Sequence, residues 1–170
     1  MIQDLIEQRL HELFGARRPT LWVTRERPKI DRIACPWLIR RFIDAQAEIL
    51  FVPTQDVLAT AEREAAVAFD IPGAPLTHEG ERCSFDAFVK QFQLEDPGLE
   101  VLAPIVRGAD TDRHDLAPQA SGLHALSLGL TVLFRDDRVL LEQGMVVYDA
   151  LYAWATQARG ERHDWRPAAI

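Results

Sequence analysis

Apolar side chains recur at helical spacing in the first fifteen residues, and Gly15 is a natural helix stop. The apolar stripe consists of Ile2, Leu5, Ile6, Leu10, Leu13 and Phe14. The pattern predicts an amphipathic helix over 1–15. Its single apolar face must be covered by the body of the protein, by a second chain or by a preceding domain, and a homodimer is one way to meet that need.

Three short apolar runs in the first half of the chain indicate β-strands. They read LWVT, EILFVP and VAFDI. Between the first two lies DRIACPWLIRRF, whose apolar positions fall on one side of a helix. Pro36 suits a first helical turn, where its missing N–H costs nothing, so we expect the helix to begin at Pro36 with Cys35 just before it. A start with Asp31 as the N-cap would place Pro36 one turn inside the helix and remove a hydrogen bond.

The second half of the chain is predicted to be helical. After an alanine-rich helix over 56–66, Ser84 is expected to cap a short helix, and Asp96 followed by Pro97 signals another. Pro104 should kink or shorten that helix, and two further helices should follow it. The fold class is α/β (α+β), mostly helical, with a small sheet of about three strands. We expect an N-terminal helix over 1–15, one domain over 20–158 and a flexible tail over 159–170.

Composition narrows the classes of function. The chain has 170 residues, of which 48% are hydrophobic and 26% charged, with a net charge of −7. That charge disfavours nucleic-acid binding, which relies on surplus Lys and Arg. No apolar run reaches membrane-spanning length and no signal peptide is evident, so we expect a cytoplasmic protein without a membrane partner. The two cysteines, Cys35 and Cys83, are then reduced thiols and form no multi-cysteine zinc motif.

Cys35 is the first candidate for chemistry. A thiol at a helix N-terminus meets the positive end of the helix dipole, which lowers its pKa and favours anions. Arg32 could fold back over that terminus to bind an anion, with Asp31 orienting it, and Cys35 and Arg32 are therefore the candidate catalytic pair. The alternative is a buried, inert cysteine. Arg40 and Arg41 lie beyond the first turn on the polar face, and Arg25 ranks below Arg32.

A second group of candidates lies in THEGERCSFD, where His78, Cys83 and Asp86 could ligate zinc or iron. Glu79 is a weaker candidate. The alternative is a polar loop whose cysteine packs under the next helix and whose Asp86 is simply an early-helix acid.

A third group lies in RGADTDRHD, where Asp110 is a candidate metal ligand and Asp112 a second one. Acids in turns also make local hydrogen bonds, which is the competing interpretation. His114 is a possible nitrogen ligand, although the resemblance described below does not emphasise it and we expect it to be incidental; His124, in a helical pattern, is expected to be structural. Tyr148 and Tyr152, one helical turn apart, could line a ligand pocket or form the edge of the core.

Several segments in order resemble the chromate-resistance ChrB-type family. They read WVTRERPKIDRIACPWLIRRFID, FVP, FDIPGAPLTHEGERCSFDAF, IVRGADT, PQASGL and YDALYAW, and they run from about Trp22 to about Trp154. The resemblance implies a soluble bacterial protein tied to chromate resistance, often described as a chromate-responsive regulator. Within the third group it emphasises Arg107, Gly108 and Asp110. The DNA-binding members are longer at the N-terminus, so DNA binding is not expected of this short form.

Three functions remain open from the sequence. The first is a stress-response accessory protein of chromate resistance that binds a metal or a chromate-like oxyanion, as a sensor or a redox detoxification factor. The second is a metal-dependent redox enzyme or hydrolase, and the third is a transcriptional regulator.

Overall fold

The computed structural model describes residues 2–164; the end of the predicted tail, 165–170, lies outside them. The described residues form three strands and seven α-helices in one α+β arrangement. The strands are β1 (Leu21–Arg25), β2 (Glu48–Val52) and β3 (Val67–Ala68). The helices are α1 (Ile2–Phe14), α2 (Asp31–Leu38), α3 (Val57–Glu64), α4 (Ser84–Gln91), α5 (Pro97–Asp110), α6 (Ala120–Leu133) and α7 (Asp137–Ala153).

The sheet is parallel, with strand order β2-β1-β3. All three predicted strands are confirmed, although β3 pairs over only two residues, Trp22 with Val67 and Val23 with Ala68. Successive side chains of a strand point to opposite faces. Trp22 therefore joins the large core with α2 and α4, while Val23 packs with Val57 of α3 on the other face. Helices on both faces bury the small sheet, as parallel strands require.

The apolar face of α1 is covered by the body of the same chain. Ile6 and Leu10 are buried in the main core, and Arg9 Nε donates to the Gln91 carbonyl 2.7 Å away. Of the three ways to cover this stripe, the structure shows the intramolecular one. The stripe therefore gives no reason to invoke a homodimer.

The expected start of the second helix at Pro36 is wrong. The helix begins at Asp31, with Ile30 in the capping position, so Pro36 lies inside it and Cys35 is one turn from its N-terminus. The helix tolerates the lost hydrogen bond because the segment is packed on both sides by the core; every residue from Ile33 to Ile39 is buried. Beyond Pro36 the chain widens into a π-helical turn over Ile39–Ile43.

Two smaller expectations also need correction. Cys83, not Ser84, caps α4, because the Ser84 hydroxyl donates to Asp70 instead. Helix α5 continues through Pro104 to Asp110 and is not shortened. The Asp96 cap is confirmed: its carboxylate accepts from the backbone N–H groups of Gly98 and Leu99. None of the helices described over 2–164 has the length and apolarity needed to cross a lipid bilayer.

Candidate metal centre

The candidate site lies where β1 and β3 end. The two strands are parallel neighbours, so their carboxyl ends lie at the same end of the sheet, which is where open parallel sheets place ligands. Arg25 ends β1, Asp31 opens the helix that follows it, and Asp70 comes two residues after β3. His78 lies in the loop before α4 and Asp110 ends α5.

Three carboxylates converge on one nitrogen of His78. The His78 Nε2 atom is 3.1 Å from Asp110 Oδ2, 3.4 Å from Asp31 Oδ2 and 3.4 Å from Asp70 Oδ1. The His78 side chain is 41% exposed, whereas Asp31 is 1% exposed. The cluster therefore reaches from the buried interior to one side that is open to solvent.

Asp31 is held by the start of α4. Its Oδ2 accepts from the Ser84 backbone N–H at 2.6 Å, and its Oδ1 accepts from that of Phe85 at 3.3 Å. A carboxylate at a helix N-terminus satisfies unpaired amides and meets the positive end of the dipole. These bonds fix the Asp31 carboxylate on the side facing His78.

Asp70 joins the arginines to the cluster. Its Oδ2 accepts from Arg25 Nη2 at 2.8 Å and lies 3.5 Å from Arg32 Nε, while its Oδ1 accepts from the Ser84 hydroxyl at 2.8 Å. The expectation that Asp31 orients Arg32 is wrong: Asp70 and the carbonyls of residues 25 and 26 hold that guanidinium. Both arginines therefore balance the charge of Asp70, and Arg25 makes the shorter contact.

The remaining arginines of the segment point elsewhere, as expected. Arg40 pairs with Glu142 at 2.7 Å and Arg41 pairs with Asp149 at 3.2 Å. Both ion pairs join the π-helical turn to α7, and neither involves the cluster around His78.

The surroundings change the protonation of the cluster. Hydrogen bonds to Asp110, Asp31 and Asp70 raise the pKa of His78 to about 12, so the metal-free imidazole is positively charged at neutral pH. Burial raises the pKa of Asp31, while its hydrogen bond to His78 opposes that shift. Asp70 has a lowered pKa, because its hydrogen bonds to His78, Ser84 and Arg25 outweigh the effect of burial.

Tyr148 positions the residue before Asp31. Ile30 adopts φ 43°, a left-handed conformation that a β-branched residue rarely takes. The buried Tyr148 hydroxyl donates to the Ile30 carbonyl at 3.0 Å. Tyr148, put forward from the sequence as a ligand-binding residue, thus contacts the backbone that leads into Asp31 and holds a strained turn in place.

Cys35 is fully buried on α2. Burial raises the pKa of its thiol well above the ordinary value, and the nearby carboxylates of Asp31 and Asp70 act in the same direction. The helix-terminus argument for a thiolate does not apply to it, because it lies a full turn beyond the N-terminus.

Cys83 and Asp86 form the capping pair of α4. The Cys83 backbone N–H donates to Asp86 Oδ2 at 3.1 Å, and its thiol lies 3.4 Å from the same oxygen. Arg107 of α5 donates a hydrogen bond to each oxygen of Asp86, both at 2.9 Å. Burial raises the pKa of Cys83, and Asp31 and Asp86 reinforce the shift. Both residues are thus engaged in joining α4 to α5.

Two groups of three side chains in the described part of the chain have the right atoms close enough to share a metal ion. One is Asp31, His78 and Asp110, and the other is Asp112, His114 and His124. Of the four metal ligands predicted from the sequence, His78 and Asp110 fall together in the first group, joined by Asp31, whereas Cys83 and Asp86 belong to neither. Sequence reasoning missed Asp70; its signal was an acid near the end of the predicted strand VAFDI.

Comparison with known proteins gives one consistent result. A family model described as "ChrB, C-terminal domain" matches residues 22–155. Protein ChrB of Cupriavidus metallidurans strain CH34 is 37% identical over 139 residues, which cover 81% of this chain and 41% of that relative. The chain thus aligns with less than half the length of this curated relative. No solved structure matches.

Proposed function

This chain belongs to the ChrB C-terminal domain family, and we propose that it is a metal-binding domain of a chromate-resistance accessory protein. Asp31, His78 and Asp110 are the proposed ligands of one divalent metal ion. One observation carries the proposal: three carboxylates from separate segments lie 3.1–3.4 Å from a single imidazole nitrogen. The link to chromate resistance rests on the family resemblance.

A bound cation would compensate the negative charge of this cluster. Asp31 is almost fully buried, and a buried carboxylate is costly unless a cation or several hydrogen bonds compensate it. Arg25 and Arg32 both contact Asp70, which leaves His78 as the cationic partner of Asp31 and Asp110. A metal ion bound to the neutral imidazole would replace the proton that His78 otherwise holds, and would bring more positive charge to the same point.

The ligand set favours a borderline first-row ion. One imidazole and two carboxylates suit zinc or iron, the two metals expected from the sequence, and also manganese. Asp70 would then support the site without binding the ion, since both its oxygens already contact Ser84, Arg25 and Arg32. The exposed side of His78 leaves room for a further ligand such as water, as open metal sites have.

An oxyanion is the second candidate ligand, and one cleft favours it. A cavity of about 1060 Å³ beside the site is lined by four cationic side chains and two acidic ones, namely Arg82, Lys90, Arg107, Arg113, Glu79 and Glu81. Three of these cations are already paired, Lys90 with Glu79, Arg107 with Asp86 and Arg113 with Asp115. The three carboxylates around His78 would repel an anion, so we place a candidate oxyanion in this cleft and not at the cluster.

A redox role through the thiols has less support than metal binding. Cys35 and Cys83 are buried, and burial raises the pKa of each, whereas thiol chemistry requires an accessible thiolate.

Metal content tests the proposal. The full chain is loaded with Zn²⁺ or, without oxygen, with Fe²⁺, passed over a desalting column and measured by elemental analysis. We expect His78→Ala and Asp110→Asn each to lose about one ion per chain relative to wild type. His11→Ala, which changes an exposed histidine of α1, is the matched control and should retain the wild-type content.

Asp110→Asn is the sharper of the two variants, because it keeps the shape of the side chain and the rest of the cluster. Unchanged metal content in both variants would refute the assignment. If metal content is unchanged but sulfate or molybdate protects the protein from unfolding, and Arg82→Ala abolishes that protection, the oxyanion candidate replaces it.

A further inference from the structure

A second cluster of metal-ligating side chains lies between α5 and α6 and shares no residue with the first. His114 Nε2 and His124 Nδ1 are 3.1 Å apart, and their ring centroids are 5.2 Å apart. Asp112 Oδ1 lies 3.7 Å from the same His114 nitrogen. Two imidazole nitrogens and a carboxylate oxygen therefore face one small volume at the surface.

The backbone around this cluster is well defined by its contacts. The turn carrying His114 is closed by a hydrogen bond from the Leu116 N–H to the Arg113 carbonyl, and Arg113 pairs with Asp115 at 2.9 Å. Gly108 lets this turn approach α5, since a Cβ there would lie 2.8 Å from the Arg113 carbonyl and 2.9 Å from Ala120 Cβ. The close packing sets His114 against His124 on α6.

We propose that Asp112, His114 and His124 form a second metal site, which binds ions that prefer imidazole ligands, namely Zn²⁺, Ni²⁺ and Cu²⁺. A tetrahedral ion about 2.0–2.1 Å from its ligands holds their atoms roughly 3.4 Å apart. The distances here, 3.1 Å and 3.7 Å, lie on either side of that value. The ion requires the two facing ring nitrogens to be unprotonated, with each imidazole proton on its other nitrogen.

The two sites differ in ligands and in access. The first offers one nitrogen and two oxygens around a buried aspartate, and the second offers two nitrogens and one oxygen. Asp112 and His114 have side chains 89% and 36% exposed, so an ion there exchanges readily and keeps an open position for water. We therefore expect the second site to bind Cu²⁺ and Ni²⁺ more strongly than the first does, because affinity for those ions rises with the number of imidazole ligands.

A simple hydrogen bond between two neutral histidines is the competing explanation. In that case one ring nitrogen donates its proton to the lone pair of the other, and the pair binds no ion.

The test uses the full chain carrying His78→Ala, which removes the first site and makes the result independent of the proposed function. Equilibrium dialysis against Zn²⁺ should still show about one bound ion per chain. Adding His114→Gln or His124→Gln should remove it, whereas adding His11→Ala should not. Electron paramagnetic resonance of the Cu²⁺-loaded protein should show two imidazole nitrogens on the ion.

Circular dichroism checks that each variant is folded. If one of the two glutamine variants is unfolded, the other one is used for the test. A His78→Ala protein that binds no Zn²⁺ would overturn the proposal. Binding that survives both glutamine changes would overturn it too, as would a Cu²⁺ signal from a single imidazole nitrogen. If wild type binds metal and His78→Ala binds none, the second site is refuted and the first site remains supported.

Discussion

The two thiols and the Asp–His cluster lie close together in this fold, yet their surroundings have opposite chemical effects. Cys35 and Cys83 are fully buried, and burial raises the pKa of both, so they are neutral. The cluster around His78 gathers Asp31, Asp70 and Asp110 at the edge of the sheet and opens to solvent on one side. Reactive groups need both a suitable charge state and access, and only the cluster has both.

The difference shows that the type of residue matters less than its neighbours. A cysteine beside arginines in the sequence suggests an activated thiol, but those arginines contact Asp70, Glu142 and Asp149 in the structure. The predictions below test whether metal affinity depends on the cluster around His78 and whether the two thiols contribute only to the stability of the fold.

The largest effect is expected from Asp31→Asn. Asparagine keeps one acceptor oxygen: an N–H₂ group in place of Oδ1 loses the Phe85 amide, and one in place of Oδ2 loses the Ser84 amide and the metal. We expect metal affinity to fall about a hundredfold and the free energy of unfolding to fall by about 1–3 kcal/mol. Calorimetric titration and urea unfolding measure the two effects. Asp56→Asn, at an exposed position before α3, is the control, and equal effects in both variants would contradict a special role for Asp31.

Metal affinity should rise with pH because the ion displaces the proton of His78. The raised pKa, about 12, means that the folded, metal-free protein holds this proton throughout the neutral range. Affinity should then increase about tenfold per pH unit between pH 7 and 9, whereas a histidine of ordinary pKa would give a plateau above about pH 7. Titrations at three pH values decide between the two.

The same shift affects the stability of the metal-free protein. A raised pKa means that the folded state binds the proton more tightly than the unfolded chain. The stabilisation is complete below about pH 6.5 and is lost as pH rises toward the folded pKa. His78→Ala should therefore flatten the decline of stability above neutral pH, and an unchanged slope would contradict the charged imidazole.

Cysteine variants should separate stability from metal binding. Cys35→Ala and Cys83→Ala each remove a buried sulfur, so we expect the free energy of unfolding to fall by about 1–2 kcal/mol. Metal affinity should stay within a factor of about two of wild type, since neither thiol is a proposed ligand. The native thiols should also resist a water-soluble disulfide reagent until the protein unfolds. A tenfold loss of affinity in Cys83→Ala would instead favour the ligand set that includes this cysteine.

Tyr148→Phe is expected to have the smallest effect. It removes the hydroxyl donor from the carbonyl of the strained residue Ile30, which still accepts from the N–H groups of Ile33 and Ala34, and we expect a loss of about 1 kcal/mol of stability. Asp31 follows Ile30 directly, so metal affinity should fall by a few fold with unchanged stoichiometry. Tyr152→Phe is the control. It removes a 2.8 Å hydrogen bond to Asp96, the N-cap of α5, and should change stability alone.

Local patterns were enough to predict much of the fold. The three strands follow from short apolar runs, and the Asp96–Pro97 signal correctly marks a helix start, because such features depend on neighbours in the chain. The start of α2 was not predictable in this way. Pro36 favours a first turn locally, but core packing on both sides of the helix and the strained Ile30 place the start at Asp31.

The candidate site was only partly predictable for a related reason. His78 and Asp110 stand out as ligand types, but their distance depends on how α5 packs beside the loop that precedes α4. Asp70 looks like an ordinary acid near the end of a predicted strand until the parallel pairing of β1 and β3 brings it to Arg25. Cys83 and Asp86 suggest ligands by type, while three-residue spacing at a helix start makes them a capping pair.

The position of a bound metal ion tests the central claim most directly. Crystals of the Zn²⁺-loaded protein, measured on either side of the zinc absorption edge, should give an anomalous peak about 2.0–2.2 Å from His78 Nε2 and from oxygens of Asp31 and Asp110. A peak bonded to the Cys83 sulfur, or none within reach of His78, would contradict the account.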